Sequence, residues 1–307
     1  MSELQSLLDG ITAGDVKSLA RAITWVENEL PGYETLLKSL QPSRQVPVVG
    51  FTGPPGAGKS TLINALVGML SAQNKRIAVV AVDPTSPFNY GSLLADRLRM
   101  SERFTDPHIF IRSVATRGSL GGLSDKMIEI TEVLKAAPFD LVLVETVGVG
   151  QSEVEIAGLA DTTVVVVVPE SGDDIQALKS GIMEIADIFV VNKGDREGAD
   201  RMVNNLQKIS SFHPGDPRSK PVIKTSALQS EGLQQLMEAI TGISGDEARG
   251  DKRAILLAEK LYRIIRRKRM DDVKKKELLE KIKETITTTG SANIYRMAED
   301  FLSRQAS

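Results

Sequence analysis

The chain has 307 residues, 41% hydrophobic and 25% charged, enough for one large α/β domain with extensions or for two smaller units. With 38 basic against 40 acidic residues the formal charge is −2, so the whole chain offers no electrostatic case for nucleic acid or an anionic membrane as partner. The lack of Cys excludes disulfides, iron–sulfur clusters and thiolate zinc sites, and two isolated histidines, His108 and His213, argue against a protein-bound transition metal.

The opening segment carries Glu3 and Asp9 and no apolar run, and nothing later reaches the roughly 18 residues that span a bilayer, so the chain reads as soluble and cytoplasmic. Leu4, Leu7, Leu8 and Ile11 recur at helical spacing, as do Val16, Leu19, Ala20, Ile23 and Val26 after the break at Gly14 and Asp15. Residues 1–45 therefore read as an N-terminal helical extension. From Val46 the pattern changes to short, continuous β-branched runs separated by helix-length segments. These are 46–52, 76–83, 109–114, 139–146, 162–169, 187–192 and 221–227. Such runs mark strands buried on both faces, so residues 46–242 predict a doubly wound, mostly parallel α/β sheet. Residues 243–251 resemble a loop, and 243–307 read as a helical arm. Ala254, Ala258, Leu261 and Ile265 share one helical face, Leu278, Leu279 and Ile282 a second patch, and Gly290 precedes a last helix. Within 252–276, eleven Lys or Arg stand against three acids, either a solvated face or an arm that docks a partner or a second copy.

The strongest local signal is Gly53-Pro54-Pro55-Gly56-Ala57-Gly58-Lys59-Ser60-Thr61, between the first strand and the helical run from Thr61 to Leu70. This is the context a phosphate-binding P-loop requires. The glycines let backbone amides curl round phosphate oxygens at a helix N-terminus; Lys59 suits the β- and γ-phosphates, and the Ser60 hydroxyl suits magnesium.

Asn192-Lys193-Gly194-Asp195, at the end of the sixth strand, selects the base. A carboxylate such as Asp195 accepts from the ring N1–H and exocyclic amine of guanine, donors that adenine lacks there, and the wrong base leaves the acid unsatisfied. Lys193 can lie along the base, and Asn192 can tie this loop to the P-loop. Thr225-Ser226-Ala227 ends the seventh strand, where the Ala227 amide can reach guanine O6, with Ser226 beside it. The combination favours GTP over ATP.

Asp83 ends the second strand and Glu145 the fourth, both at the carboxyl edge where ligands of open α/β sheets bind. Glu145 begins Glu145-Thr146-Val147-Gly148, in the place that Asp holds in most GTPases; the Gly148 amide suits the γ-phosphate, and Gly148 a switch pivot. Val149 follows, where Ras-like proteins carry a water-orienting Gln, so slow intrinsic hydrolysis accelerated by a partner or by dimerisation is expected. Gln151 is a substitute candidate. Asp96, Arg97 and Arg99 lie on a helix-like segment and are either surface charges or phosphate-facing groups.

The runs from Gly50 to Leu66, 81–87, 91–100, 117–122, 141–157, 169–195 and 225–227 together resemble the MeaB/ArgK-type GTPases, the family of the human methylmalonic aciduria type A protein, over about residues 10–245. That resemblance implies a GTP-hydrolysing G-protein chaperone that gates cofactor loading of an adenosylcobalamin-dependent acyl-CoA mutase, with GTP/GDP and Mg2+ bound by the chain and the cobalamin held by the partner. It places Lys59, Ser60, Asp83, Asp96 and Glu145 in the phosphate and magnesium set. Arg99 becomes nucleotide-responsive, residues 168–179 an additional switch with Asp173 and Lys179 contacting the mutase, and the C-terminal helices a homodimerisation arm. The chain departs from the family pattern over Phe88–Met100 and Ser113–Thr116, which leaves the particular mutase open. A nickel-inserting GTPase of the same branch needs Cys or His ligands, and a kinase a second substrate and usually ATP; the composition and the base loop disfavour both.

Overall fold

The computed structural model describes residues 3–41, 45–83, 103, 105–115, 126–146, 155–171, 182–210, 219–244, 249–270, 273–289 and 291–305. Three helices come first, α1 (Glu3–Ala13), α2 (Val16–Glu27) and α3 (Tyr33–Ser39). Seven strands follow: β1 (Val48–Thr52), β2 (Ile77–Asp83), β3 (Ile109–Ala115), β4 (Leu141–Glu145), β5 (Thr162–Val167), β6 (Ile188–Val191) and β7 (Val222–Lys224). Interspersed helices are α4 (Lys59–Ser71), α5 (Met127–Lys135), α6 (Ile182–Ile185), α7 (Ala199–Ser210) and α8 (Leu233–Ser244). The C-terminal part holds α9 (Arg249–Arg269), α10 (Lys275–Thr289) and α11 (Ile294–Gln305). Each β-branched run of the sequence is a strand. Among the described residues no helix is long and apolar enough to cross a membrane.

The strands form one sheet in the order β3-β2-β4-β1-β5-β6-β7, and every pairing is parallel. The chain runs outward from β1 to one edge through β2 and β3, returns with β4, and then fills the other side. That reversal leaves a crevice beyond the carboxyl ends of the central strands, the ligand position of open α/β sheets. On one face Val49, Phe51, Val79, Leu143 and Val164 pack against Leu62, Ile63 and Leu66 of α4 and Leu236 and Ile240 of α8. On the other, Val48, Val80, Val142 and Val144 meet α1, α2, α3 and α5, while Val165, Val167, Phe189 and Val191 meet Met202 and Leu206 of α7. Apolar cover on both faces explains why these strands are nearly unbroken Val and Ile rather than alternating.

The N-terminal helices are thus part of the core. Asp15 caps α2 by accepting from the Ser18 amide at 2.8 Å, and Leu19, Ala22, Ile23 and Val26 then fall on one buried stripe. Charge anchors the same layer: Arg112 of β3 pairs with Glu27 and donates to Thr24 Oγ1 at 3.2 Å. Lys126, just before α5, pairs with Glu29 and lies 5.0 Å from the Tyr33 ring centroid. Residues 1–256 form one compact unit and 257–307 a second. Within the latter, Lys281 lies over the Phe301 ring.

Because α2 and the sheet share one core, truncating fully buried Ile23 to Ala should cost about 2–4 kcal/mol. Amide exchange should show β1 and α2 losing protection at the same denaturant concentration; loss in α2 alone would make these helices a separable layer.

Candidate functional site

The loop from Gly53 to Gly58 leaves the buried end of β1 and enters α4 at Lys59. Gly53 has φ 135°, and a Cβ there would stand 2.0 Å from the Val166 carbonyl oxygen, so the chain passes against β5 where no side chain fits. Gly58, at φ 83°, leaves room for the Asn192 amide, which would lie 2.5 Å from a Cβ. Pro55 and Gly56 are exposed, Ala57 is buried, and Thr61 is exposed in the first turn of α4. The Lys59 ammonium donates to the Gly53 and Pro54 carbonyls at 2.8 and 3.1 Å, so the loop closes round its own lysine. A Gly-rich turn that opens a helix with a buried cation is suited to hold phosphate oxygens.

Next to it, the Ser60 hydroxyl donates to Glu145 Oε1 at 2.6 Å. Both residues are about 95% buried, with exposures of 5% and 4%. The contact joins the first turn of α4 to the last residue of β4, 85 positions apart. Asp83 ends β2 at the same edge: Ala81 is in register with Glu145, and Asp83 stands two residues further along the strand. A hydroxyl and a carboxylate are oxygen donors of the kind that magnesium takes, usually one or two from protein and the rest from water and phosphate, so the residues present fit that ion. Asp96, Arg99, Gly148, Gln151, Asp173 and Lys179 lie outside the described residues.

The loop after β6 meets the P-loop through Asn192, which is 2% exposed. Its Nδ2 donates to the Ala57 carbonyl at 2.9 Å. Its Oδ1 accepts from Thr225 Oγ1 at 3.2 Å and from the Ala227 amide at 3.3 Å. One side chain therefore joins three loops. The sequence aimed the Ala227 amide at guanine O6; in the structure its partner is Asn192. Lys193 takes a left-handed conformation, φ 56°. The Gly194 amide donates to the Thr225 carbonyl at 2.8 Å. These two turns carry exposed Asp195 outward, where it accepts from the buried Ser226 hydroxyl at 2.8 Å. That bond, the largest cause, holds the Asp195 carboxyl below the usual aspartate range. The depressed group stays ionised at neutral pH, and its capacity to accept from a base is lost only as pH falls through that lowered value.

Three features escaped the sequence reading. The Thr225 hydroxyl is one; its place beside Ser226 and Ala227 at the end of the seventh run was the available signal, and the strand itself ends one residue earlier, at Lys224. Glu170, in the turn after β5, pairs with Arg196 directly after Asp195, and Arg196 holds Glu170 below the usual carboxylate range. Thr146 donates to Thr52 Oγ1 at 3.1 Å, both side chains fully buried. A threonine closing each of two mostly apolar runs was the sign there.

The sequence family described as methylmalonyl Co-A mutase-associated GTPase MeaB matches residues 19–284. The chain belongs to the MeaB family. A protein of Pyrococcus horikoshii named as a GTPase is 45% identical over 247 residues, covering 78% of this chain and 77% of that one. The mouse methylmalonic aciduria type A homolog, mitochondrial, is 36% identical over 256 residues, 76% of this chain and 61% of that protein. The crystal structure of an LAO/AO transport system kinase is similar with a TM-score of 0.66 at 25% identity, covering 99% of both chains. This MeaB-family protein is a P-loop GTPase, and GTP, GDP and Mg2+ are the ligands its family implies.

Replacing Asn192 by Ala removes the bridge and leaves buried partners unsatisfied. The MeaB-family fold should lose about 2–3 kcal/mol and the protein about tenfold or more in guanine-nucleotide affinity. Calorimetric titration checks this; unchanged affinity would show that the P-loop and base loop act independently.

Proposed function

We propose that this GTPase is a chaperone of an adenosylcobalamin-dependent acyl-CoA mutase, methylmalonyl-CoA mutase or a related enzyme, and that nucleotide state gates cofactor loading and protects or reactivates the mutase. The observation that carries the chemical half is the Asn192 bridge, which sets a base-reading loop and a phosphate loop at one fixed separation. The family match over residues 19–284 supports the partner half. In this reading Gly53, Pro55, Gly56, Ala57, Gly58, Thr61 and Gly148 surround the phosphates. Asn192, Lys193, Asp195, Ser226 and Ala227 form the guanine pocket. Ser60, Asp83, Asp96 and Glu145 would hold magnesium, which neutralises phosphate charge when bound. Lys59 exchanges its loop carbonyls for phosphate oxygens, placing its charge where negative charge develops as the γ-phosphoryl leaves.

With Val149 after the pivot, intrinsic hydrolysis is slow, and contact with the mutase through Arg99, Gln151, Asp173 and Lys179 speeds it. The helices α9–α11 serve as a homodimer arm; Leu261, Tyr262 and Ile265 of α9 are exposed apolar side chains of the kind a second copy would cover. Neither nucleic acid nor membrane is a partner, and the site of action is the cytoplasm. A nickel-inserting role is disfavoured by chemistry and by place: the chain has no Cys, and His108 precedes β3 at the amino edge of the sheet, opposite the phosphate loop.

Pull-down from the source cell with GDP, GTP or a nonhydrolysable GTP analogue should recover an acyl-CoA mutase subunit in a nucleotide-dependent manner, and the recovered mutase should raise the GTPase rate by about tenfold or more, a modest effect beside the largest that partners supply. Absence of any such mutase under all three nucleotides would sink the chaperone reading.

A further inference from the structure

The sheet's carboxyl edge is joined on both of its faces. On the α4 face, the Ser60 hydroxyl meets Glu145. On the opposite face, Thr146 Oγ1 donates to Thr52 Oγ1 at 3.1 Å, while the Thr146 amide donates to the Phe51 carbonyl at 3.0 Å. Phe51 is in register with Glu145, so the two threonines are the next opposed positions beyond the last ladder pair. Thr52 is 0% and Thr146 1% exposed, which leaves no solvent to replace either hydroxyl's partner. The preceding residues on that face of the two strands are Val48, Gly50, Val142 and Val144. Valine is the near-isosteric side chain for threonine, and at a buried position a lone hydroxyl is destabilising. Two hydroxyls placed opposite one another therefore make a directional contact that a pair of valines would not.

The contact's chain neighbours are the functional loops. Thr52 is followed by Gly53, whose carbonyl accepts from Lys59. Thr146 is preceded by Glu145, which accepts from Ser60, and is followed by Val147 and Gly148. We infer that the Thr52–Thr146 hydrogen bond is a positioning contact for GTP hydrolysis: it holds the start of the P-loop and the root of the γ-phosphate loop at one separation, and thereby sets where the Glu145 carboxylate stands relative to the phosphates. This inference rests on the reading of Glu145 as the acid on the magnesium side. Neither threonine touches nucleotide, so the pair acts through Gly53 and Glu145. A displacement well under an ångström is felt in the rate more than in binding, because geometry at the reacting centre is lost while most ground-state contacts persist.

The test is a cycle of Thr52→Val, Thr146→Val and the double variant, with Thr146→Ser and Glu145→Gln alongside. Each single valine variant strands one buried hydroxyl and should melt below the parent; the double variant, with both hydroxyls gone, should recover most of that loss. If the pair positions the loops, the double variant keeps a kcat roughly tenfold below the parent with KM changed by less than about twofold, and needs several-fold more Mg2+ for half-maximal rate. Thr146→Ser, which retains the hydroxyl, should restore both. Parental kcat and Mg2+ dependence in the double variant would overturn the inference and leave the pair a purely structural contact. Glu145→Gln separates the two claims. If it hydrolyses GTP at the parental rate, the reading of Glu145 falls. If it is inactive while the double variant turns over normally, that reading stands and only the positioning role is lost.

Discussion

The loops after β1 and β6 are separated by β5, a distance of roughly 10 Å at the usual spacing of neighbouring strands. A nucleotide whose phosphates lie in one loop and whose base lies in the other is bound well only if that distance does not vary. Asn192 crosses it with a single buried carboxamide, donating to Ala57 and accepting from the loop after β7. Its burial makes the contacts compulsory, since an amide with no partner inside the fold is strongly unfavourable. Gly58 makes the crossing sterically feasible, because any side chain there would occupy the Asn192 amide's position.

Around that bridge the parallel sheet acts as a rigid edge. Its two faces are covered by different helices, one set led by α4 and α8, the other by α1–α3, α5 and α7. The cover holds the strand ends in register, and short polar contacts at the edge convert the register into chemistry. Ser60 to Glu145 links the phosphate helix to β4, and Ser226 holds Asp195 ionised and outward-facing. The N-terminal helices take part through Ile23 and through the Arg112–Glu27 pair, so the nucleotide edge rests on a core to which the first forty residues contribute.

The seven strands were legible because parallel strands covered on both faces read as short, near-continuous runs rich in Val and Ile, and their length and β-branched content separate them from buried helix segments. The places of Lys59 and Ser60 at the start of α4, and of Asn192 and Asp195 just after β6, were legible because a Gly-rich turn between a strand and a helix, and a short polar run after a strand, are local patterns. Thr52 and Thr146 were not: they lie 94 positions apart, and only the register of β1 on β4 makes them neighbours. The place of α1–α3 was hidden for a similar reason. Periodicity identifies the apolar stripe of Leu19, Ile23 and Val26, but does not say which surface covers it. The pairing of Glu170 with Arg196 likewise depends on β5 and β6 being adjacent.

The base selectivity of Asp195→Asn tests this arrangement most directly. Asparagine keeps the size of the side chain and replaces an acceptor by a donor, so the variant's kcat/KM should shift from GTP toward XTP by roughly a hundredfold or more, while the Ser60–Glu145 edge stays intact. Selectivity for GTP equal to that of the parent would contradict the account, because it would remove Asp195 from the base pocket and leave the Asn192 bridge without a base-reading loop to hold.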